Sequence, residues 1–122
     1  MKFAIPVEDK SMENNVCMSF GRAPYFLIYD TDSKEKIFID NSGAASQGGA
    51  GIKAAQTVVD SNAGALFTHR CGENAAEVLK SANIKIYKIA FDSIQKNIEA
   101  FAAGRLSVLD EFPTGLHGHK GN

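Results

Sequence analysis

The spacing of hydrophobic residues changes near the middle of this chain. In the first part they run together in short stretches that are typical of β-strands. In the second part they recur every three or four positions, as on one face of a helix, with short apolar runs in between. The predicted strands of the first part are Lys2–Val7, Tyr25–Asp30 and Lys36–Ile39. The last two should form a hairpin, because only a short polar turn separates them.

The second part predicts three helices alternating with two strands. The helical stripes begin at Ile52, Ala75 and Ile94, and the strands between them are Ala65–Thr68 and Ile84–Ile89. A hairpin region followed by this alternation indicates an α/β fold, with helices packed on a mixed sheet. Strands joined by a helical crossover should be parallel.

Ligands of such sheets bind where the strands end, in the loops at their carboxyl edge. The loops in question are Glu8–Asn15, Thr68–Gly72 and Ala90–Ser93. Asp92, followed by Gln95, resembles a capping box that would start the third helix.

Composition narrows the class of protein. The chain has 122 residues, of which 44% are hydrophobic and 22% charged, as expected for one globular domain. No apolar run is long enough for a membrane span and no signal segment opens the chain, so we expect a cytoplasmic protein without a membrane partner. A net charge of −1 gives no reason to expect nucleic acid. Its two cysteines are too few for a disulfide framework, and both should be thiols.

A glycine-rich turn leads into the first predicted helix. Gly48, Gly49 and Gly51 precede or open the stripe that starts at Ile52, and Lys53 lies in its first turn. A glycine turn at a helix start presents backbone N–H groups and the positive end of the helix dipole, which suits an anion. The same glycines could equally serve close packing between helix and sheet. The sequence leaves both interpretations open.

Gly49–Ala54 also fits the dinucleotide pattern G-x-G-x-x-A. Its context differs, since no acidic residue ends the next strand, and no Lys-Ser or Lys-Thr pair makes it a phosphate-binding P-loop. Binding of a nucleotide or phosphorylated substrate at this turn is kept as the rival interpretation.

The loop after the fourth strand concentrates reactive side chains. His69, Arg70 and Cys71 are consecutive, and Gly72 precedes the second helix. A cysteine beside an arginine at a helix start should have a lowered pKa and act as a thiolate ligand for a metal or a sulfide cluster. Alternatively, His69 and Arg70 are solvated loop residues and Cys71 fills space.

Cys17 is a second candidate metal ligand, with Met18 beside it and Met12 nearby. Sulfur donors select iron–sulfur clusters and other thiophilic species. The absence of any C-x-x-C pair argues against a closed zinc or four-cysteine site. His117 and His119 could bind a transition metal, but their place in a polar, glycine-rich end makes this incidental.

Several segments together resemble the dinitrogenase iron–molybdenum cofactor biosynthesis family, in its small NifX/NifB-type form. The resembling segments are Phe20–Asp30, Gly48–Gln56, Cys71–Ala75 and Ala82–Tyr87. The resemblance assigns residues 1–106 to this domain and leaves 107–122 as a flexible C-terminal tail.

The resemblance implies a ribonuclease-H-like fold, without nuclease activity, whose mixed sheet has five strands and carries three helices. It also implies binding of an iron–sulfur or molybdenum–iron–sulfur species, which is anionic. Two positions depart from the family pattern. Ser19 stands where many relatives have histidine, which removes a possible ligand, and Glu73 stands where they have proline, which adds a carboxylate.

These observations favour a non-catalytic carrier or chaperone of a metal–sulfur cofactor or its precursor. Its partners would be the proteins that donate and accept the cluster. The two alternatives are a small enzyme acting on a phosphorylated or nucleotide substrate at the glycine turn, and an interaction domain whose site has decayed.

Overall fold

A computed structural model describes residues 1–112 of the chain. The six strands are β1 (Lys2–Val7), β2 (Tyr25–Asp30), β3 (Lys36–Asp40), β4 (Ala65–Thr68), β5 (Lys85–Lys88) and β6 (Ser107–Val108). The helices are α1 (Ala50–Asp60), α2 (Glu73–Ser81) and α3 (Ile94–Ala102), and a short 3-10 helix covers Ser42–Ala45.

All six strands belong to one mixed sheet in the order β3-β2-β1-β4-β5-β6. The expected α/β class is confirmed, as is the hairpin of β2 and β3. The pairs β1–β4 and β4–β5 are parallel, as the helical crossovers require. The sheet has one strand more than expected. The additional strand, β6, pairs antiparallel with β5 and lies in the segment predicted as a tail.

The helices cover both faces of the sheet. Side chains alternate across a strand, so Phe3, Ile5 and Val7 of β1 face one core, where they pack with residues of α3. Ala4 faces the other core, which is built by α1 and α2. The ring centroids of Phe3 and Phe67 are 4.1 Å apart, on neighbouring strands of the α3 face. Burial of each such ring contributes roughly 1.5–3 kcal/mol.

The ends of the helices follow local chemistry. Asn83 and Gly104 have φ angles of 63° and 73° and terminate α2 and α3 in the left-handed region. The capping box predicted at Asp92 is wrong by one residue. Ser93 is the N-cap of α3, and its hydroxyl accepts a hydrogen bond of 3.2 Å from the backbone N–H of Lys96.

Within residues 1–112, no helix is long and apolar enough to cross a membrane. His117 and His119, and the rest of 113–122, lie outside the described residues.

Candidate functional site

The first turn of α1 has no side chain to cap it. Its N-cap is Gly49, whose φ of 69° and ψ of 23° lie in the left-handed region. The backbone carbonyl of Gly49 accepts the first helical hydrogen bond, from the N–H of Lys53 at 3.0 Å. The N–H groups of residues 50–52 have no acceptor among the described residues. They remain available to an anion at the positive end of the helix dipole.

The first turn of α2 repeats this arrangement. Gly72 is its N-cap and provides no side-chain hydrogen bond, while its carbonyl accepts from the N–H of Ala76 at 2.9 Å. The N–H groups of residues 73–75 have no acceptor within the described part of the chain. Glu73, in this first turn, is exposed and adds a negative charge beside them. Its carboxylate stabilises the helix dipole and opposes an incoming anion.

The two uncapped helix starts are neighbours. A Cβ atom placed on Gly51 would lie 3.6 Å from the Cβ of Ala75, so the first turns of α1 and α2 are in contact. The unpaired N–H groups and positive dipole ends of the two helices thus lie side by side. Together they suit a ligand with more negative charge than a single helix start would hold. We call this region the paired helix starts, residues 49–53 and 72–75.

The three glycines predicted at this turn have different roles. Gly49 provides the positive φ, and Gly51 lies where α1 contacts α2. Gly48 has open space around it and no left-handed backbone. Both interpretations of the turn have a structural counterpart, because the turn lies at a contact between α1 and α2 and also at two uncapped helix starts.

Two cations lie next to the start of α1. Lys53 Nζ donates to Ser46 Oγ at 3.1 Å. Arg22 Nη1 donates to the carbonyl of Ala44 at 3.1 Å and also to that of Ser46. Among residues 1–112, neither cation forms an ion pair with a carboxylate. Both charges are exposed and available to an anionic ligand.

Arg22 is a candidate site residue that sequence reasoning did not assign, and its position depends on the residues around it. Ser19 Oγ accepts a 3.0 Å hydrogen bond from the N–H of Arg22 and so closes the turn that precedes β2. The departure from the family pattern at Ser19 thus has a structural role here. The signal in the sequence was the Phe20–Gly21–Arg22 segment, which carried the resemblance without an assigned function.

A buried asparagine holds this turn against α1. Asn41 Nδ2 donates to the carbonyls of Gly21 at 3.1 Å and Ala23 at 2.8 Å, while its Oδ1 accepts from the N–H of Gly43. A Cβ at Gly21 would lie 3.2 Å from the nitrogen of Gly51, and one at Gly43 would lie 2.9 Å from the oxygen of Ala50. These backbones pack as closely as only glycine permits.

Cys71 does not have the environment that the sequence predicted. Only 2% of the residue is exposed, and it lies in the core with residues of α1 and α2. Burial raises the pKa of the Cys71 thiol to about 11, although the positive charge of Lys80 acts in the opposite direction. The prediction of a lowered pKa is wrong, because desolvation of the sulfur outweighs the effect of a helix start and a neighbouring arginine. Its role as a metal ligand stays a prediction.

His69 and Arg70 take different positions in the same loop. Arg70 is exposed, whereas His69 is partly buried and its Nε2 atom is enclosed without a hydrogen-bond partner. An enclosed imidazole nitrogen without a partner is unfavourable by about 1–3 kcal/mol. A ligand that met this nitrogen would remove that cost, which keeps His69 as a candidate contact.

Cys17 belongs to the neighbouring loop at the same edge of the sheet. Its backbone N–H donates to the carbonyl of Pro6 at the end of β1, and β1 runs parallel beside β4, which ends at Thr68. The Cys17 thiol donates to Glu8 Oε2 at 3.1 Å. Burial, then this hydrogen bond, raises the pKa of Cys17. Like Cys71, it is a protonated thiol in this structure.

The described residues hold no preformed metal cage. Within 1–112, no three side chains of histidine, cysteine, aspartate or glutamate come close enough together to bind a metal ion. The region offers instead a cradle of backbone N–H groups and cations at the paired helix starts. Its donors suit an anion.

The chain is similar in sequence and structure to several known proteins. Residues 1–104 match the family described as dinitrogenase iron-molybdenum cofactor. The apo form of the orange protein from Desulfovibrio gigas is similar in structure, with a TM-score of 0.84, 28% identity, and coverage of 88% of this chain and 92% of that one. A candidate NifB protein from Thermotoga has a TM-score of 0.80 and 36% identity, with 93% and 97% covered. A candidate dinitrogenase from Methanocaldococcus jannaschii has a TM-score of 0.64 and 27% identity, with 89% and 94% covered.

The chain belongs to the dinitrogenase iron–molybdenum cofactor family, as its sequence resemblance predicted. Membership points to a role in the biosynthesis or binding of this cofactor. The fold of this chain, a six-stranded mixed sheet with three helices, is similar to the folds of these relatives.

Proposed function

We propose that this protein binds and carries an anionic metal–sulfur cofactor or precursor, of the iron–sulfur or molybdenum–iron–sulfur kind, without transforming it. The observation that carries the proposal is the pair of adjacent, uncapped helix starts at Gly49 and Gly72. Arg22 and Lys53 add two positive charges beside the first of them. Charge-assisted hydrogen bonds from N–H groups to an anion are about twice as strong as neutral ones.

The cargo would be held mainly through its outer sulfides. Backbone N–H groups and cations can contact sulfide ligands without replacing them, so the cluster keeps its own metal coordination. Such binding is exchangeable, which suits delivery from a donor protein to an acceptor protein. His69, whose Nε2 atom has no hydrogen-bond partner, would be an additional contact of the cargo.

A non-catalytic role is supported by the state of the two thiols. Nucleophilic catalysis by a cysteine would need a thiol activated by a neighbouring base or by a lowered pKa. With its pKa raised to about 11, the Cys71 thiol is protonated at neutral pH, and the Cys17 thiol donates a hydrogen bond to Glu8. Neither thiol is activated in this structure.

A titration without oxygen tests the proposal. The purified protein is titrated with an iron–sulfur cluster donor and, separately, with tetrathiomolybdate, while charge-transfer absorption is followed. Molybdate is the matched control, since it has the same charge and geometry without sulfide. We expect both sulfide species to bind in a form that a cluster-free acceptor protein can remove unchanged. Conversion of the bound species into another product would contradict the carrier role.

The rival function is tested in the same series. An enzyme acting on phosphorylated substrates at the glycine turn should be stabilised against heat by a nucleotide or inorganic phosphate. Nucleotide-dependent stabilisation together with no binding of either sulfide species would favour that enzyme. Failure to bind any of these ligands would favour an interaction domain with a decayed site.

A further inference from the structure

Strand β3, at one edge of the sheet, presents an open side. It pairs with β2 along its whole length, and no other described strand lies beyond it. Ile37, the second residue of β3, is 54% exposed. An edge strand with an exposed apolar residue is a template for pairing with another strand.

The backbone groups that face outward can be identified from the hydrogen bonds at the two ends of β3. The carbonyl of Glu35 accepts from the N–H of Asp30, and the N–H of Asn41 donates to the carbonyl of Pro24. Odd-numbered residues of β3 therefore direct their N–H and C=O groups toward β2. Because these groups alternate along an antiparallel strand, those of Lys36, Phe38 and Asp40 point to the open side.

The side chains of β3 read Lys-Ile-Phe-Ile-Asp and are complementary to themselves in an antiparallel register. With Phe38 placed opposite Phe38 of a second copy, Lys36 lies opposite Asp40 on both sides of the twofold axis. Opposite charges directly across an antiparallel pair are favourable, and like charges are not. The three residues that pair across the axis are also the three whose backbone groups point outward, so this register satisfies the hydrogen bonds and the charges together.

The same register covers the exposed isoleucine. Ile37 lies opposite Ile39 of the second copy, at a position without backbone hydrogen bonds, where opposing side chains approach most closely. Ile37 and Ile39 line a groove of about 320 Å³ between β3 and α1, together with Ile28 and Thr57. Pairing would therefore cover apolar surface that the single copy leaves in contact with water.

We infer that β3 pairs antiparallel with β3 of a second copy of this chain, with Phe38 at the twofold axis, and joins two sheets into one continuous sheet. The interface is isologous, so it closes as a dimer and leaves no further β3 edge. Five residues a side make a small interface, well below the about 800 Å² per partner of a standard one. The dimer is accordingly weak and depends on protein concentration. Its surface is separate from the paired helix starts.

The test combines charge reversal with measurement of the dimer dissociation constant by analytical ultracentrifugation. Lys36→Asp places two aspartates opposite each other on both sides of the axis, and Asp40→Lys does the same with two lysines. Each single variant should weaken the dimer by about tenfold or more. The double variant, with both changes, restores opposite charges and should return to within about threefold of the original. Both positions are exposed, so folding is not at risk.

Amide hydrogen exchange provides the second measurement. Raising the protein concentration should slow exchange at Lys36, Phe38 and Asp40, whose N–H groups point outward, and leave Ile37 and Ile39 unchanged, since these already donate to β2. A protein that stays monomeric at millimolar concentration would overturn the inference. A dimer whose dissociation constant is unchanged by both charge reversals would also overturn it, as would protection from hydrogen exchange at residues other than Lys36, Phe38 and Asp40.

Discussion

The start of α1 and the loop at Cys71 carry the same kind of sequence signal, but the structure places their candidate groups in opposite environments. Both combine a helix start with a nearby cation, and both were predicted to bind the cofactor. At α1, the candidate binding groups are backbone N–H donors, and no side chain caps them. In the loop, the thiol turns into the core, where 2% exposure raises its pKa. The start of α1 stays usable for binding because its N–H groups are uncapped. Burial of Cys71 removes the reactivity of its sulfur, because burial disfavours the thiolate and only the thiolate is a strong ligand.

Among the variants that test the start of α1, Gly43→Val should cause the largest loss of stability. A Cβ there would lie 2.9 Å from the oxygen of Ala50, so Gly43→Val should destabilise the fold by roughly 2–3 kcal/mol. The variant also displaces the segment that holds Arg22, so cluster affinity should fall with stability. Urea unfolding measures the first effect. Gly48→Val is the matched control, because open space surrounds Gly48. Equal stability of the two variants would contradict the close packing.

The pH dependence of stability tests the burial of Cys71. Its pKa is raised from 9.0 to about 11, so the folded state binds the thiol proton more tightly than the unfolded state. The stability from this group is complete below pH 9 and is lost as pH rises toward 11, by about 2–3 kcal/mol in total. Denaturant unfolding at several pH values should show this decline, and Cys71→Ala should remove that part of it. An identical slope in the variant would mean that the thiol is accessible in the folded state.

Gly49→Ala isolates the backbone strain at the start of α1. A φ of 69° costs a non-glycine residue about 1–2 kcal/mol, and no atom lies within 4 Å to add a steric clash. Thermal unfolding should show this loss. Gly48→Ala, with an unstrained backbone, should be neutral or slightly stabilising. A Gly49→Ala variant as stable as the original would show that the left-handed N-cap is not required.

The smallest change in affinity is expected from Glu73, in the first turn of α2. Glu73 places a carboxylate among the unpaired N–H groups of the paired helix starts. Glu73→Gln should tighten binding of tetrathiomolybdate by about two- to fivefold, the effect of one partly screened charge at a helix start. Glu99→Gln, on α3, is the control for the change in net charge. Equal affinities of the two variants would place the ligand away from α2.

Most of the fold could be predicted because its signals are local. The apolar runs of β1, β2 and β4 matched the observed bounds. The left-handed stops of α2 and α3 fall on an asparagine and a glycine, the residue types that adopt this conformation most readily. Strand β6 was missed because two exposed residues carry no periodicity. The cap of α3 fell on Ser93 rather than Asp92, since both residues suit an N-cap and only the geometry distinguishes them.

The site was less predictable because it depends on contacts between distant segments. Local sequence identified the glycine turn and Lys53 as candidates. Arg22 reaches Ser46 only because Asn41 joins its turn to the 3-10 helix, a contact across about twenty residues that no motif reveals. The burial of Cys71 depends on the packing of α1 and α2 over the sheet, which a helix-start argument does not contain.

The central claim is that cations and backbone groups at the paired helix starts, rather than the two thiols, hold the cargo. Titration with tetrathiomolybdate without oxygen compares the double variant Arg22→Ala/Lys53→Ala with the double variant Cys17→Ser/Cys71→Ser, each checked for folding by circular dichroism. The account predicts that loss of the two charges weakens binding by at least about tenfold, and that loss of the two thiols changes it by less than about threefold. The reverse order, with the thiol variant losing the binding and the charge variant keeping it, would contradict the account.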